Sequence, residues 1–139
     1  MEKNKIRREI RIEAQRERLD ELLDIVRADM AVKGCPTEKQ ISVEICAEEI
    51  FINIASYAYE DTGGVAWITE EVTDTGISLC FRDQGISYNP LEKENPDITL
   101  SAESRQIGGL GIYMVKKMMD SVSYEYTEGK NCLTIEMTW

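Results

Sequence analysis

The residues able to do chemistry in this 139-residue chain fall in three short segments. Glu49-Ile-Phe-Ile-Asn53 lies within a long helical pattern, Asp83-Gln-Gly85 follows a strand pattern, and Gly108-Gly-Leu-Gly111 opens another helix. Glu49 and Asn53 are four residues apart, so their side chains leave one helix face a turn from each other. A carboxylate there can orient a nucleophilic water or hydroxyl. An amide oxygen is a hard ligand suited to Mg²⁺, which takes few protein ligands beside water and phosphate oxygens. Asp83, at the end of the run through Ile77, Leu79 and Phe81, can accept the exocyclic amine of a base, and Gly85 leaves space for it. Glycines at a helix start let backbone N–H groups approach an anion at the favourable end of the helix dipole. Each segment also has a plain structural reading: a solvated helix stripe, an Asp-x-Gly turn, a hinge into a core helix. The glycines have neither P-loop spacing nor the leading strand of a Rossmann turn.

The elements that must position these residues are legible from periodicity. Lys5 to Glu13 alternates, with Ile6, Ile10 and Ile12 on one parity, and reads as a strand. Gln15 to Val32 follows a helical period through Leu19, Leu22, Leu23, Val26 and Met30 and stops at Gly34 and Pro36. Thr37 is the expected N-cap of a longer helix running to about Tyr59. Val65 to Val72 and Gly76 to Arg82 form an expected hairpin. Residues 84 to 107 carry Pro90 and Pro96 with no sustained period, as in a lid or binding loop. A third helix is expected from about Leu110 to Met119, and a closing hairpin from Ser121 to Thr127 and Asn131 to Trp139. Grouped strands with mostly hairpin connections predict a two-layer α/β sandwich, a mixed, mostly antiparallel sheet covered on one face by three helices.

Composition narrows the function. The length suits a single domain over residues 1–139. A net charge of −10 opposes direct binding of nucleic acid or an anionic membrane and favours a basic protein partner. The cations crowd the N-terminus as Lys3, Lys5, Arg7, Arg8, Arg11, Arg16 and Arg18, interleaved with isoleucines as on a solvated strand face. Cys35, Cys46, Cys80 and Cys132 have no metal or disulfide-scaffold spacing and read as reduced thiols of a cytoplasmic protein. The start has no signal-peptide character, and no apolar run approaches the roughly 18 residues of a membrane span. There is no histidine, which removes Ser-His-Asp and Cys-His catalysis within the chain and any phosphohistidine on it.

In order and spacing the three segments resemble the N, G1 and G2 boxes of the GHKL ATPase superfamily, which shares the Bergerat ATP-binding fold. Glu49-Ile-Phe-Ile-Asn-Ile-Ala-Ser-Tyr-Ala-Tyr59, Asp83-Gln-Gly-Ile-Ser-Tyr-Asn-Pro90 and Ile107-Gly-Gly-Leu-Gly-Ile-Tyr-Met-Val-Lys-Lys117 are most similar to the anti-sigma factor serine kinases of the RsbW and SpoIIAB type. The resemblance implies ATP and Mg²⁺ as cofactors. Asn53 would coordinate the Mg²⁺ bridging the phosphates, and Glu49 would act as base or orienter toward a substrate serine. Asp83 would bind the adenine amine, Gly85, Gly109 and Gly111 would shape the pocket, and Thr134 would help hold adenine through water. Arg105, on the lid at 84–107, would meet the γ-phosphate. Tyr57 stands where several relatives have a histidine, and Ser87 where many have a second glycine. The implied function is a serine-protein kinase that phosphorylates an anti-sigma-factor antagonist and sequesters a sigma factor, as a homodimer with the basic N-terminal strand as the contact edge. The alternatives are a non-catalytic nucleotide-dependent interaction module and a histidine kinase-like ATPase domain acting in trans.

Overall fold

The computed structural model describes residues 5–59, 63–92 and 109–139. Its first element, β1 (Ile6–Glu13), is an edge strand. A 3-10 turn at Arg16–Arg18 leads into α1 (Leu19–Val32), so the helix expected from Gln15 tightens in its opening turn. Leu22, Leu23, Val26 and Met30 face the sheet at helical spacing. The helix stops in a Schellman pattern: the N–H of Cys35 donates to the carbonyl of Met30 at 3.0 Å and that of Gly34 to Ala31 at 3.2 Å, which satisfies two end carbonyls.

Pro36 precedes α2 (Thr37–Asn53), and its carbonyl receives the N–H groups of Lys39 and Gln40. Thr37, expected as the cap, is the first helical residue and makes no capping bond; the Gln40 side chain instead donates to the Cys35 carbonyl at 2.8 Å. Val43, Cys46, Ala47, Ile50 and Phe51 bury the inner face of α2, which packs between α1 and α3 (Gly109–Met118). The expected α-helix to Tyr59 does not run through. From Ile54 to Ala58 the chain widens into a π-helical turn, a form that occurs as single turns and often beside functional residues.

Strands β2 (Val65–Thr73) and β3 (Gly76–Asp83) form the central hairpin, and β4 (Ser121–Thr127) and β5 (Lys130–Thr138) the closing one. The order is β1-β2-β3-β5-β4 and every pairing is antiparallel, so the sheet is fully antiparallel where a mixed one was also expected. Phe81, Ile68, Leu79 and Ile135 on its inner face meet Phe51, Leu22, Val26 and Met30 from the helices in one core. The outer face is a charged lattice. Arg82 donates to Glu9 at 3.0 Å and to Thr69 at 2.7 Å, Arg7 pairs with Glu9 at 2.9 Å, and Lys5 with Glu71 at 3.0 Å. Much of the basic N-terminus is therefore neutralised within the fold, as on an ordinary strand face. The four thiols are free, and no helix among the described residues is long and apolar enough to cross a membrane.

One core position breaks the apolar pattern. Glu70 points inward from β2 at 0% exposure, and neither carboxyl oxygen accepts a hydrogen bond among the described residues. Arg8 grips the neighbouring Asp29 with two bonds, Nε to Oδ2 at 2.5 Å and Nη2 to Oδ1 at 3.0 Å, and its Nε lies 3.7 Å from Glu70. The Arg8 bonds hold Asp29 below the usual carboxylate range, whereas burial first, and Asp29 beside it second, push the Glu70 carboxyl up to about 9. Glu70 is thus neutral in the fold near pH 7. An unfolded chain ionises it at its ordinary value, so its contribution is fully present below about pH 4 and is lost as pH rises through about 9. Glu70→Gln is expected to match the parent near pH 4 and to exceed it by about 1–3 kcal/mol near pH 8. Urea unfolding at the two pH values checks this, and an equal difference at both would refute it.

Candidate functional site

The inner face of the sheet and the end of α2 enclose a cavity of about 420 Å³, within the size range of small-molecule sites. Its walls are mostly apolar, from Ile50, Ile54, Phe81, Ile112 and Leu133, with Asn53, Asp83 and Asn131 as the polar groups and Tyr57, Tyr88 and Tyr124 beside them.

Asp83 ends β3 on the inner parity and is 7% exposed. Its Oδ1 accepts the N–H of Gly85 at 2.9 Å and the Asn131 amide at 3.0 Å. Its Oδ2 accepts nothing among the described residues. A buried carboxylate with one oxygen supplied and the other open is an acceptor held ready for a donor from a ligand, since leaving it empty carries a desolvation cost. Gly85 is required by close approach: a Cβ there would lie 2.2 Å from the Ala58 carbonyl oxygen. The turn after Asp83 therefore packs directly on the π-helical turn. Tyr59 bolts the same junction, its hydroxyl receiving the Gln84 N–H at 2.7 Å and donating to the Val65 carbonyl at 2.5 Å.

Asn53 lies in the cavity wall, and its amide makes no hydrogen bond among the described residues. Glu49, one turn earlier, is half-buried outside the cavity lining and against the first turn of α3. A Cβ on Gly111 would overlap the Glu49 carboxylate, so Gly111 leaves room for that side chain in its present position. A carboxylate at the first turn of a helix is favourably placed toward its dipole. Gly109 is the first residue of α3, where backbone N–H groups have no partner within the helix. The structure thus brings Glu49 and Gly111 together where α2 meets α3, and Asn53 and Asp83 into one cavity lining, with Gly85 in the turn after Asp83 and Gly109 at the start of α3. Arg105, Gly108 and the lid residues 93–107 lie outside the described residues.

Thr134 does not join them. It pairs with Cys80 and Ser123 and lines the outer face of the sheet with Trp67, Arg82 and Lys130. The β3–β5 register sets Asn131, not Thr134, opposite Asp83. Residues 131, 133 and 135 share the inner parity, so an even-numbered threonine on this strand must face away. Asn131, Tyr124 and Tyr59 were missed by sequence reasoning. Asn131 reads there as the residue after a Glu-Gly-Lys turn, and only the register with Asp83 reveals it.

The donor set fits a nucleotide and a hydrated cation. Among the described residues no cluster of three or more Cys, Asp or Glu can hold a metal alone, so a cation here would take the Asn53 amide, phosphate oxygens and water. Asp83→Asn keeps the Oδ1 bonds to Gly85 and Asn131 but turns the open acceptor into a donor. ATP affinity is expected to fall about 100-fold or more while the thermal melt stays within a few degrees. Calorimetry checks it, and unchanged affinity would remove Asp83 from the site.

Residues 12–139 match the histidine kinase-like ATPase domain family. The chain is similar to the serine/threonine-protein kinase BtrW of Bordetella bronchiseptica, 30% identical over 97 residues, which cover 69% of this chain and 68% of the relative. It is 27% identical to the anti-sigma F factor of Clostridium acetobutylicum over 104 residues, 74% of this chain and 73% of that one. Against the serine-protein kinase RsbW of Bacillus mycoides it is 27% identical over 126 residues, 85% and 77% of the two chains.

Proposed function

The chain belongs to the histidine kinase-like ATPase domain family, the GHKL superfamily its motifs resemble, and on that premise we propose that it is an ATP-dependent serine-protein kinase acting as an anti-sigma factor. The observation that carries the reading is the buried Asp83 with its open oxygen in the lining of a cavity that also presents the Asn53 amide, which makes no hydrogen bond among the described residues. Asp83 Oδ2 would accept the adenine amine, Asn53 would supply a ligand to a Mg²⁺ that neutralises phosphate charge, and the backbone N–H groups at the α3 start, Gly109 to Gly111, would receive the phosphates. Glu49, a turn from Asn53, takes up the proton of the attacking serine hydroxyl. Arg105 is assigned to the γ-phosphate from the motif alone.

The substrate and the sequestered partner come from the relatives. Proteins similar to this chain are named anti-sigma F factor and serine-protein kinase RsbW, so the proposed partners are a sigma factor and an anti-sigma-factor antagonist protein. The protein works in the cytoplasm, where both reside. The excess of acidic groups suits a basic protein surface rather than nucleic acid. Among the described residues strand β1 pairs on one side only, which leaves its other edge for a second copy of the chain.

Incubation with Mg-ATP and the antagonist is expected to give acid-stable phosphoserine on the antagonist, and Glu49→Gln to slow that transfer about 100-fold or more with ATP affinity kept within a few-fold. ATP binding without transfer would favour the interaction module, and an acid-labile phosphate would favour a histidine acceptor in another chain. Light scattering is expected to give twice the chain mass, and Ile10→Pro on the β1 edge to lower it; a monomer for the parent chain would refute the dimer.

A further inference from the structure

Asn131, the second residue of β5, lies directly opposite Asp83 and is 8% exposed. Its amide has four bonding positions and all four are taken. On one side Nδ2 donates to Asp83 Oδ1 at 3.0 Å and to the Ile86 carbonyl at 3.0 Å, with the Gly85 carbonyl at 3.4 Å sharing that side. On the other, Oδ1 accepts the Tyr88 N–H at 3.0 Å and the Tyr124 hydroxyl. The amide cannot be turned over, because the Tyr88 N–H only donates and the Ile86 carbonyl only accepts. One neutral side chain thus joins the open carboxylate on β3, the segment 85–88 that follows it, and β4. Ile86 and Tyr88 are themselves cavity-lining residues with exposed side chains, so what Asn131 fixes is their backbone.

We propose that Asn131 is a positioning residue that locks the base-reading carboxylate of Asp83 and the backbone of residues 85–88 into one unit, so that base binding and the path of the chain leaving the site are set together. The inference rests on the nucleotide-site reading above and adds to it a residue and a coupling. Its chemistry is specific. The unit needs two donors and two acceptors on one uncharged planar group, which a hydroxyl, an aliphatic chain or a carboxylate at this position does not provide.

The titratable groups around Asn131 are Asp83 from β3, Tyr124 and, in register with Asn131, Tyr126 from β4, Tyr88 from the following segment and Tyr57 from the turn after α2; Asp83 is the single carboxylate among the described residues of the cavity wall. Asn131→Asp keeps the acceptor side toward Tyr88 and Tyr124 and removes the donor side. Protonated, the new carboxyl still gives one hydrogen bond toward Asp83 or Ile86. Ionised, it faces the Asp83 carboxylate and two carbonyls. Mg-ADP affinity, by calorimetry, is therefore expected to fall about tenfold or more in Asn131→Asp between about pH 5.5 and about pH 8, relative to the parent chain over the same interval. In the parent, hydrogen exchange is expected to show the Tyr88 amide gaining protection on Mg-ADP binding in step with the amide of Gly85.

A residue with a merely structural role would lower the melting temperature without a new pH profile. If Asn131→Asp folds and tracks the parent within about threefold at both pH values, the proposal is overturned. Should that variant not fold, an unchanged Tyr88 exchange rate in the nucleotide-bound parent overturns it as well. If the parent binds no Mg-ADP, the nucleotide reading itself fails and this inference with it, an outcome distinct from binding without coupling.

Discussion

A carboxylate can remain in an apolar wall only if the protein supplies hydrogen bonds to it, and Asp83 is supplied on one oxygen alone. Much of the molecule follows from meeting that requirement while keeping the other oxygen open. Strand β3 must end on the inner parity, the chain must turn at once so that the Gly85 N–H comes back to the carboxylate, and β5 must be in register to bring an amide opposite. The tight turn then presses on the end of α2, and it fits only because residue 85 has no side chain to meet the Ala58 carbonyl. Asn53 ends the helix that leads into the π-helical turn on which Gly85 packs, so the carboxylate and the amide line one cavity.

Periodicity made the architecture legible because each element buries one face. The parity of Ile77, Leu79 and Phe81 sets Asp83 inward, and the α1 stripe stops at the residues that form its Schellman end. The motif spacing likewise led to the α2–α3 contact, where Gly111 meets Glu49. Register between distant strands is a different kind of information. It decides that Asn131 rather than Thr134 faces Asp83, and it depends on how two hairpins dock, which no local window contains. Glu70 was illegible for a related reason. An acid among alternating strand residues looks like an outward position until α1 is seen to place Asp29 over it.

Of the three buried acids among the described residues, Asp83 has a different task from Glu70 and its neighbour Asp29. Asp83 keeps an open oxygen beside a cavity, whereas Glu70 is fully buried beside Arg8 and Asp29. Glu70 is held neutral by burial and links the edge strand to the first helix through its neighbours. It bears on the stability of the scaffold, and the first bears on what the scaffold holds.

The π-helical turn at Ile54–Ala58 gives the helix two rotational frames. Up to Asn53 the phase is set by Val43, Ile50 and Phe51 in the core; beyond it the phase is set by Tyr59, anchored to Val65 and Gln84. A regular α-helix has about 100° between successive residues and cannot satisfy both frames, and one extra residue in a single turn absorbs the difference. Removing a residue between 54 and 58 would therefore force a choice between the core and the Tyr59 anchor. The length of that short stretch is as much a part of the site as any side chain lining it.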